Sequence, residues 1–343
     1  MVHLLSMKYK GKNMSLSQEC QQPLVSVIIP TYNRPDYLKQ AIASAIKQTY
    51  QNIEIIVSDN CSPENPQALV ASFGDSRIRF WRHQQNVGML ANQQHGFKMA
   101  RGKYVASLHD DDIWNEDFLA KLVPVLEANP ELILAFCDQY IIDANGIIDN
   151  AGTEKNTRGY KRDQLKEGIY QPFCKVGLVD KSIPTAASCV IRNNLIDWDS
   201  IPPEVGGMWD LYLTYLCCIS AYGAYYYPEK LTRYRAHEQT DTMLSGSRDV
   251  QAKIRKAKSE MFCYQAFMED AQLQKFRTYF QQKWLEANTT LGIGLLRSKQ
   301  IAVARPYFWQ ALTKQKFNAR TLVALSLTFT PQFLANKLIE LSK

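Results

Sequence analysis

The segment ASLHDDDIW, residues 106–114, places three adjacent carboxylates directly after a short apolar run. Neighbouring aspartates repel one another and disfavour a strand, so another role must explain them. Asp110, Asp111 and Asp112 follow YVASL, residues 104–108, which is predicted to be a strand. Hard oxygen ligands of this kind suit Mg²⁺ or Mn²⁺, and a cation with open coordination sites suits a substrate that carries a diphosphate. The alternative is a helix N-terminus, where aspartates stabilise the helix dipole.

Polar residues also follow two earlier predicted strands. Asp59 lies just beyond IEIIV, residues 53–57, and a PTYN turn follows VSVII, residues 25–29. In an open parallel sheet, ligands bind at the carboxyl ends of the strands, so these residues are expected to share one edge with the aspartate triplet. At that edge Asp59 can accept a hydrogen bond from a ring N–H, such as that of a pyrimidine. As an isolated residue it is more typical of a turn.

Short apolar runs alternate with helical patterns over the first half of the chain. This alternation predicts an α/β fold with a mainly parallel sheet flanked by helices. The segment YIIDANGIID, residues 140–149, predicts a hairpin with an Asn-Gly turn, which makes the sheet mixed. Residues 150–184 show little periodicity and are predicted to form a loop region over the sheet edge. From about Asp249 to the last residue the pattern predicts an α-helical C-terminal extension.

Composition excludes several classes of protein. The formal charge of +7 on 343 residues is a mild bias, compatible with anionic lipid or phosphorylated substrates but not with the dense basic patterning of a nucleic-acid binder. The chain has no apolar window of about 18 residues that predicts a spanning helix. Residues 1–22 lack the apolar core of a signal peptide and are predicted to be a disordered leader. Eight scattered cysteines without a C-x-x-C pair indicate reduced thiols in the cytoplasm.

Two long stretches carry a family resemblance. VSVIIPTYNRPDYLKQAIASAIKQTYQNIEIIVSDNCSPE and NVGMLANQQHGFKMARGKYVASLHDDDIW, in this order and spacing, resemble the inverting family 2 glycosyltransferases with the GT-A fold. The match runs from about Pro23 to Trp114 and more loosely to about His237. It implies a nucleotide-sugar donor, above all a UDP-sugar, with Mn²⁺ or Mg²⁺ on the diphosphate. It also implies a hydroxyl acceptor on a glycan or a lipid-linked saccharide.

The same resemblance divides the chain. It implies a catalytic domain over residues 23–240, with a donor half at about 23–114 and an acceptor half at about 115–240. The helical region, residues 249–343, follows. Packing of these helices onto the catalytic domain is the first expectation. The alternative is a peripheral membrane contact through amphipathic, basic-edged helices at the cytoplasmic face.

The resemblance assigns roles to individual residues. It places Asp111, Asp112 and His237 around the metal. His109 stands where the family's Asp-x-Asp motif has its first aspartate, so it is expected to contact ribose, water or metal. SDNCS in place of the usual DDGS after the second strand makes Ser58 a weaker donor contact than an acid. The residues implied to bind the donor are Pro30, Thr31, Tyr32, Asn33, Asp59, Asn86, Gly88, His109 and Asp110.

Transfer to a hydroxyl requires a base that accepts its proton. By the resemblance this base is Asp210, in GGMWDLYL, although an aspartate at a helix start also occurs without any catalytic role. Glu204 is the reserve candidate. Trp209 is expected either to stack on the acceptor sugar or to pack between helix and sheet. Arg235 or His237 is expected to meet the diphosphate or the metal, and His237 is otherwise a surface histidine.

The resemblance implies an inverting hexosyltransferase of polysaccharide biosynthesis. The principal rival is a catalytically inactive glycan-binding or scaffold protein on the same fold. A sugar-1-phosphate nucleotidyltransferase would need a glycine-rich basic loop after the first strand, where this chain has PTYNRPDY. A dinucleotide oxidoreductase is disfavoured because no G-x-G-x-x-G follows that strand.

Overall fold

The structure is a computed structural model, and it describes residues 22–237, 249–314 and 318–330. Residues 1–21 of the predicted leader and residues 238–240 of the predicted catalytic domain lie outside the described residues. The same holds for parts of the helical region, residues 315–317 and 331–343.

The described residues form one mixed sheet with helices on both of its faces. The strands are β1 Val25–Thr31, β2 Ile53–Asp59, β3 Ile78–Arg82, β4 Tyr104–Ser107, β5 Ile113–Trp114, β6 Leu132–Ile142, β7 Gly168–Tyr170, β8 Cys189–Arg192 and β9 Gly223–Arg235. The helices are α1 Pro35–Ile46, α2 Gln67–Ala71, α3 Met89–Lys98, α4 Phe118–Ala128, α5 Asn150–Gly159, α6 Trp209–Cys218, α7 Val250–Glu269, α8 Arg277–Arg297, α9 Ile301–Lys314 and α10 Ala319–Leu327.

Strand directions bring most strand ends to one edge. The sheet order is β3-β2-β1-β4-β8-β6-β9-β5, with β7 paired to β9. Strands β3, β2, β1 and β4 are parallel. Strand β8 is antiparallel to both β4 and β6, so β6 and its parallel neighbour β9 run in the same direction as β4. Six strands therefore end at one edge of the sheet, and β8 begins there. The predicted mainly parallel, mixed α/β fold is confirmed.

Both faces of the central strands are buried, which explains their continuous apolar sequence. All seven residues of β1 are buried, and its side chains alternate between two hydrophobic cores. Val27 and Ile29 pack into the core that contains α1 and α4. Ile28 points to the opposite core, together with Phe97 of α3 and Trp209 of α6.

The C-terminal helices form the predicted α-helical extension. Helix α7 packs on the turn at residues 203–208 that precedes α6. Gly206 permits this approach, since its φ is +46° and a Cβ there would lie 2.6 Å from the Ser259 hydroxyl oxygen. Helices α7 to α10 share a further core around Leu291, Leu295 and Phe308. Among the described helices, none combines the length and apolar character needed to cross a bilayer.

One local prediction is borne out in part and one was wrong. The segment 140–149 does reverse at Asn145-Gly146, with an antiparallel bridge from Ile142 to Ile148, but the returning segment forms no regular strand. The segment 150–184 is not a loop but contains α5, β7 and several short helical turns. Helix α5 is capped by Asp149 and buries only Thr153, so its sequence lacks the apolar periodicity from which a helix is predicted.

Candidate active site

The loop that follows β4 carries the three adjacent aspartates into the protein. We call His109–Asp112 the acid loop. The Leu108 N–H donates to the Ile28 carbonyl at 2.8 Å, which continues the pairing of β4 with β1 beyond the strand. The side chains of Asp110, Asp111 and Asp112 are all buried, in spite of their charge. Burial of three carboxylates is costly unless cations or hydrogen-bond donors surround them, and the surrounding strand ends supply such groups.

The end of β1 holds Asp110. The Thr31 hydroxyl donates to Asp110 Oδ2 at 2.8 Å, and the Tyr32 N–H reaches the same oxygen at 3.3 Å. Arg34 Nη1 lies 3.1 Å from Asp110 Oδ1. The predicted turn residues therefore contact the acid loop directly, while the ring of Tyr32 is exposed beside it.

Asp111 lies between two basic side chains. Its Oδ2 atom is 2.8 Å from Arg34 Nη1 and 3.0 Å from His237 Nε2. His237 follows β9, and its ring packs 5.0 Å from that of Tyr37. His237 is therefore a buried neighbour of the aspartates and not a surface histidine.

Arg235, at the end of β9, holds the acid loop in place through hydrogen bonds. Its N–H donates to Asp112 Oδ1 at 3.0 Å, and its Nε donates to the Asp111 carbonyl at 2.7 Å. The guanidinium also donates to the carbonyls of Asp143 and Ala144 beyond β6. The expectation that Arg235 meets the diphosphate is wrong in this structure, because its side chain is buried and these contacts occupy it.

The positive charges near the acid loop do not fully compensate its three carboxylates. Burial, followed by repulsion from Asp111, raises the pKa of both Asp110 and Asp112 above the usual range. Burial lowers the pKa of His109, but the carboxylates, led by that of Asp210, outweigh it and leave the pKa raised. Asp112 Oδ2 is buried and accepts no hydrogen bond from the described residues. Its nearest basic atom is His109 Nδ1, at 3.7 Å.

The donor set of the acid loop fits a divalent cation. His109, Asp111 and Asp112 each offer a ligand atom, and these atoms lie within 4.8 Å of one another. One imidazole with two carboxylates suits Mn²⁺ or Mg²⁺. His237 Nε2 lies 3.0 Å from Asp111 Oδ2 and so neighbours one member of this group. Among the described residues, this is the group with metal-binding potential.

The end of β2 is held by an arginine. Asp59 is fully buried, and its Oδ2 accepts from Arg82 Nη1 at 2.8 Å. The Ser62 N–H, at 3.2 Å from each carboxylate oxygen, and the Ser62 hydroxyl also donate to it. Asp59 thus stabilises the turn after β2 and positions Arg82. The predicted hydrogen bond to a nucleobase stays a prediction, since an incoming N–H would have to share an oxygen with these donors.

The loop before α3 lies beside this turn. Asn60 connects the two, because its Oδ1 accepts from the Val87 N–H at 2.8 Å and its Nδ2 donates to Asn86 Oδ1 at 3.0 Å. Asn86 Oδ1 also accepts from the Gly88 N–H at 2.9 Å. Gly88 has a φ of +88°, which only glycine adopts without strain, and it caps α3. Asn86 and Gly88 therefore shape a loop beside the turn after β2, and their contact with a donor stays a prediction.

Asp210 lies in the first turn of α6 and faces the acid loop. Its Oδ1 accepts from the Ala186 N–H at 2.9 Å, on the turn that leads into β8. The same oxygen is 3.8 Å from His109 Nε2, and the side chain is 40% exposed. Asp210 is thus fixed by a backbone donor, opens to solvent, and is separated from the aspartates by one imidazole.

Trp209 does not line the site. Its side chain is only 1% exposed and packs against Phe97, with ring centroids 5.4 Å apart, and against Trp198. The prediction that Trp209 stacks on an acceptor sugar is therefore wrong in this structure. Its ring packs between helix and sheet. Glu204, the reserve base, is exposed in the turn at residues 203–208 and forms no hydrogen bond or ion pair with the acid loop in the described residues.

Comparison with known proteins identifies this arrangement. Residues 26–182 match the family described as "Glycosyl transferase family 2". This part of the chain is a family 2 glycosyltransferase domain. The match includes Asp59 and the acid loop, whereas Asp210 and His237 lie beyond it.

Relatives of this glycosyltransferase domain cover only part of the chain. An uncharacterized glycosyltransferase of Methanocaldococcus jannaschii is 35% identical over 162 residues, which are 46% of this chain and 55% of that protein. The UDP-Glc:alpha-D-GlcNAc-diphosphoundecaprenol beta-1,3-glucosyltransferase WfgD of Escherichia coli is 33% identical over 125 residues, or 36% of this chain and 49% of that protein. The chain thus spans about half the length of these curated relatives.

Solved structures share the fold over most of the chain. The mannosyltransferase PcManGT from Pyrobaculum calidifontis, in complex with GDP-Man and Mn²⁺, aligns with a TM-score of 0.55 at 16% identity and covers 93% of this chain and 84% of that chain. S. aureus TarS 1-349, in complex with UDP-GlcNAc, also gives 0.55, at 14% identity, and covers 89% of this chain and 90% of that chain. At these identities the likeness shows the GT-A fold.

Two arginines of the glycosyltransferase domain were missed by sequence reasoning. Arg34 pairs with Asp110 and Asp111, and Arg82 pairs with Asp59. Arg34 directly follows the PTYN turn, which was expected at one sheet edge with the aspartates, and this position was the available signal. Arg82 lies at the last position of β3, a strand end for which no site residue was predicted.

Arg34 occupies oxygens that a cation would also use, so its removal should strengthen metal binding. We expect Arg34→Ala to bind Mn²⁺ about fivefold more tightly than wild type in the absence of nucleotide, a value typical of a partly exposed ion pair. Titration calorimetry with Mn²⁺ measures this change. Arg79→Ala is the matched control, because Arg79 pairs with Glu54 at the start of β2, away from the acid loop. Weaker Mn²⁺ binding by Arg34→Ala would instead make Arg34 an organiser of the ligands.

Proposed function

We propose that this protein is an inverting glycosyltransferase that moves a sugar from a nucleotide diphosphate, with a UDP-sugar as the first candidate, to a hydroxyl of a glycan or a lipid-linked saccharide. The observation that carries the proposal is the placement of Asp210. Its carboxylate is partly exposed, faces the buried acid loop across His109, and is fixed by the Ala186 N–H. Sugar transfer needs a base for the acceptor hydroxyl and a site that holds a cation for the leaving diphosphate. Asp210 and the acid loop are the candidates for these two elements.

In the proposed reaction Asp210 accepts the proton of the acceptor hydroxyl. The hydroxyl oxygen forms a bond to the anomeric carbon, and the bond from that carbon to the diphosphate oxygen breaks with its electron pair on the nucleoside diphosphate. Attack opposite to the leaving group inverts the anomeric centre. No second carboxylate is needed as a nucleophile, which separates this chemistry from that of retaining glycosidases.

The acid loop would hold the divalent cation, through Asp111 and Asp112 with His109 or His237. When bound, such a cation neutralises the charge that develops on a leaving diphosphate. The protein's own contribution is positional, since Arg235 and the ends of β1 and β9 fix the aspartates before any ligand arrives. Arg34, released from Asp111, would remain beside the diphosphate as a second positive charge.

The domain division, the acceptor and the location belong to the same proposal. Residues 23–240 would form the catalytic domain, with the donor half ending near Trp114. The Escherichia coli relative acts, as its name states, on a diphosphoundecaprenol-linked sugar, which supports a lipid-linked saccharide as the acceptor. All seven cysteines of the described residues are free thiols, which supports placement in a reducing compartment such as the cytoplasm.

A thermal-shift screen of nucleoside diphosphates tests the donor site. We expect one nucleotide, UDP first, to raise the melting temperature by a few degrees only when Mn²⁺ or Mg²⁺ is present. A ligand at one hundred times its Kd adds about 2.7 kcal/mol to the stability of the native state. Cation-dependent hydrolysis of the matching nucleotide sugar would then separate an enzyme from an inactive glycan-binding protein. A screen in which no nucleotide stabilises the protein contradicts the proposal.

A further inference from the structure

The positive charge of the chain lies at one end of its sequence. Residues 287–343 contain eight lysines and arginines and a single acid, Glu340, which gives a net charge of +7. The formal charge of the whole chain is also +7, so residues 1–286 are neutral, with 32 basic and 32 acidic residues. Between Ala287 and Ile339 the sequence contains no acid at all. Such segregation is not expected of helices that only pack on a neutral domain.

Helix α9 exposes an uncharged face in this basic region. Its inner face, with Ala304 and Phe308, packs into the C-terminal core. Its outer face exposes an indole ring, with Trp309 50% exposed. Where side-chain exposure is described, the exposed residues of this face carry no charge and are Ala302, Val303, Pro306, Trp309, Gln310 and Thr313.

Helix α10 and the turn after it add to this surface. Val323 is 60% exposed and Phe329 is 59% exposed, while Ala324 and Leu325 face the core. The guanidinium of Arg305, on α9, lies 4.3 Å from the centre of the Phe329 ring. It also donates to the Thr328 carbonyl at 2.8 Å. These contacts join the two helices and place a cation beside an exposed aromatic ring.

Further cations gather nearby. Burial, followed by the charges of Arg297 and Arg320, lowers the pKa of Lys253 on α7. Arg297 on α8 and Arg320 on α10 are therefore each close enough to Lys253 to repel it. Such a group costs stability in the isolated protein, which an opposing anionic surface would relieve.

We propose that the outer faces of α9 and α10, with the basic residues around them, bind the surface of an anionic membrane. Exposed Trp309, Val323 and Phe329 would enter the headgroup region, and the neighbouring arginines would face anionic lipids. None of the described helices is suited to cross a bilayer, so the contact is peripheral. The inference rests on charge and exposure and does not depend on the proposed transferase chemistry.

Sedimentation with lipid vesicles tests this inference on the full chain. One vesicle is pure phosphatidylcholine, and the other contains equal parts of phosphatidylcholine and phosphatidylglycerol. We expect binding to the anionic vesicle, at least tenfold weaker binding to the neutral one, and weakening by salt. Arg297→Gln with Arg320→Gln should reduce binding roughly thirtyfold, at about one cation's contribution each. Trp309→Ser with Phe329→Ser should reduce it about tenfold.

A matched pair of substitutions controls for net charge. Lys155→Gln with Arg158→Gln removes the same charge from the exposed surface of α5 and should leave vesicle binding unchanged. Melting temperatures of all variants confirm folding. If the two double variants lose vesicle binding equally, the effect depends only on the net charge of the protein, and the proposal is overturned. Failure to bind anionic vesicles, or binding only to a soluble polyanion such as heparin, would also overturn it.

Discussion

Replacement of Asp210 by asparagine is expected to lower the rate of sugar transfer by about a hundredfold or more, the usual contribution of a general base. Asparagine keeps an oxygen that can accept from the Ala186 N–H, which in the native protein lies 2.9 Å from Asp210 Oδ1. The side chain should therefore stay in place, while its ability to take a proton is lost. Because Asp210 is separated from the aspartates by His109, Mn²⁺-dependent nucleotide binding should change by less than about twofold.

Single-turnover transfer and nucleotide titration, measured on the same preparation, separate these two effects. Glu204→Gln is the comparison, because Glu204 is an exposed acid in the turn before the same helix. If Glu204→Gln slows transfer and Asp210→Asn does not, the base is Glu204. If Asp210→Asn loses nucleotide affinity in parallel with rate, Asp210 acts on the donor side, and the proposed division of the site fails.

Much of the donor half follows from local sequence patterns. Parallel strands buried on both faces need continuous apolar runs, and their carboxyl ends share one edge. Asp59 and the acid loop accordingly lie at the sheet edge that these patterns predict. The GT-A fold itself was implied by the resemblance to family 2 glycosyltransferases. What the patterns convey is the position of a residue along a strand, which is a local property.

Contacts between distant segments were not predictable in this way. Strand β8 inserts antiparallel between β4 and β6, although residues 189–192 follow both strands in the chain. This insertion brings the Ala186 N–H to Asp210, and no local pattern indicates it. Trp209 is buried because Phe97, more than one hundred residues earlier, packs against it. The same sequence WDLYL is compatible with an exposed ring, so burial is decided by the partner and not by the residue.

Ion pairs within the site were missed for a related reason. Burial of Asp59, Asp110 and Asp111 requires compensating charge, which predicts that cations must approach them but does not say which. Arg34 and Arg82 supply part of that charge, and Arg235 supplies backbone support instead of the predicted ligand contact. Asp112 Oδ2 remains without a hydrogen bond in the described residues, which leaves room for a further cation at the acid loop.

Of the candidate ligands, Asp111 is the one on which binding of that cation should depend most. Its Oδ2 lies 2.8 Å from Arg34 Nη1 and 3.0 Å from His237 Nε2, and it belongs to the candidate ligand group with His109 and Asp112. Asp111→Asn removes a negative charge from this point and halves the anionic ligands of that group. We expect loss of the Mn²⁺-dependent part of nucleotide binding and a fall in transfer of about a hundredfold or more.

The measurement is nucleotide titration with and without Mn²⁺, followed by transfer at saturating donor. Asp117→Asn is the matched control, since Asp117 lies five residues beyond Asp112 and its carboxylate pairs with Lys121 on the surface. It should leave both quantities unchanged. Asp111→Asn also removes one of the two carboxylate partners of Arg34. The variant therefore tests whether Asp111 affects nucleotide binding through charge balance or through metal ligation. If the variant binds nucleotide more tightly without Mn²⁺, and added Mn²⁺ does not change that affinity, Asp111 is a ligand of the cation. Retention of the full Mn²⁺ effect would mean that the cation is held elsewhere.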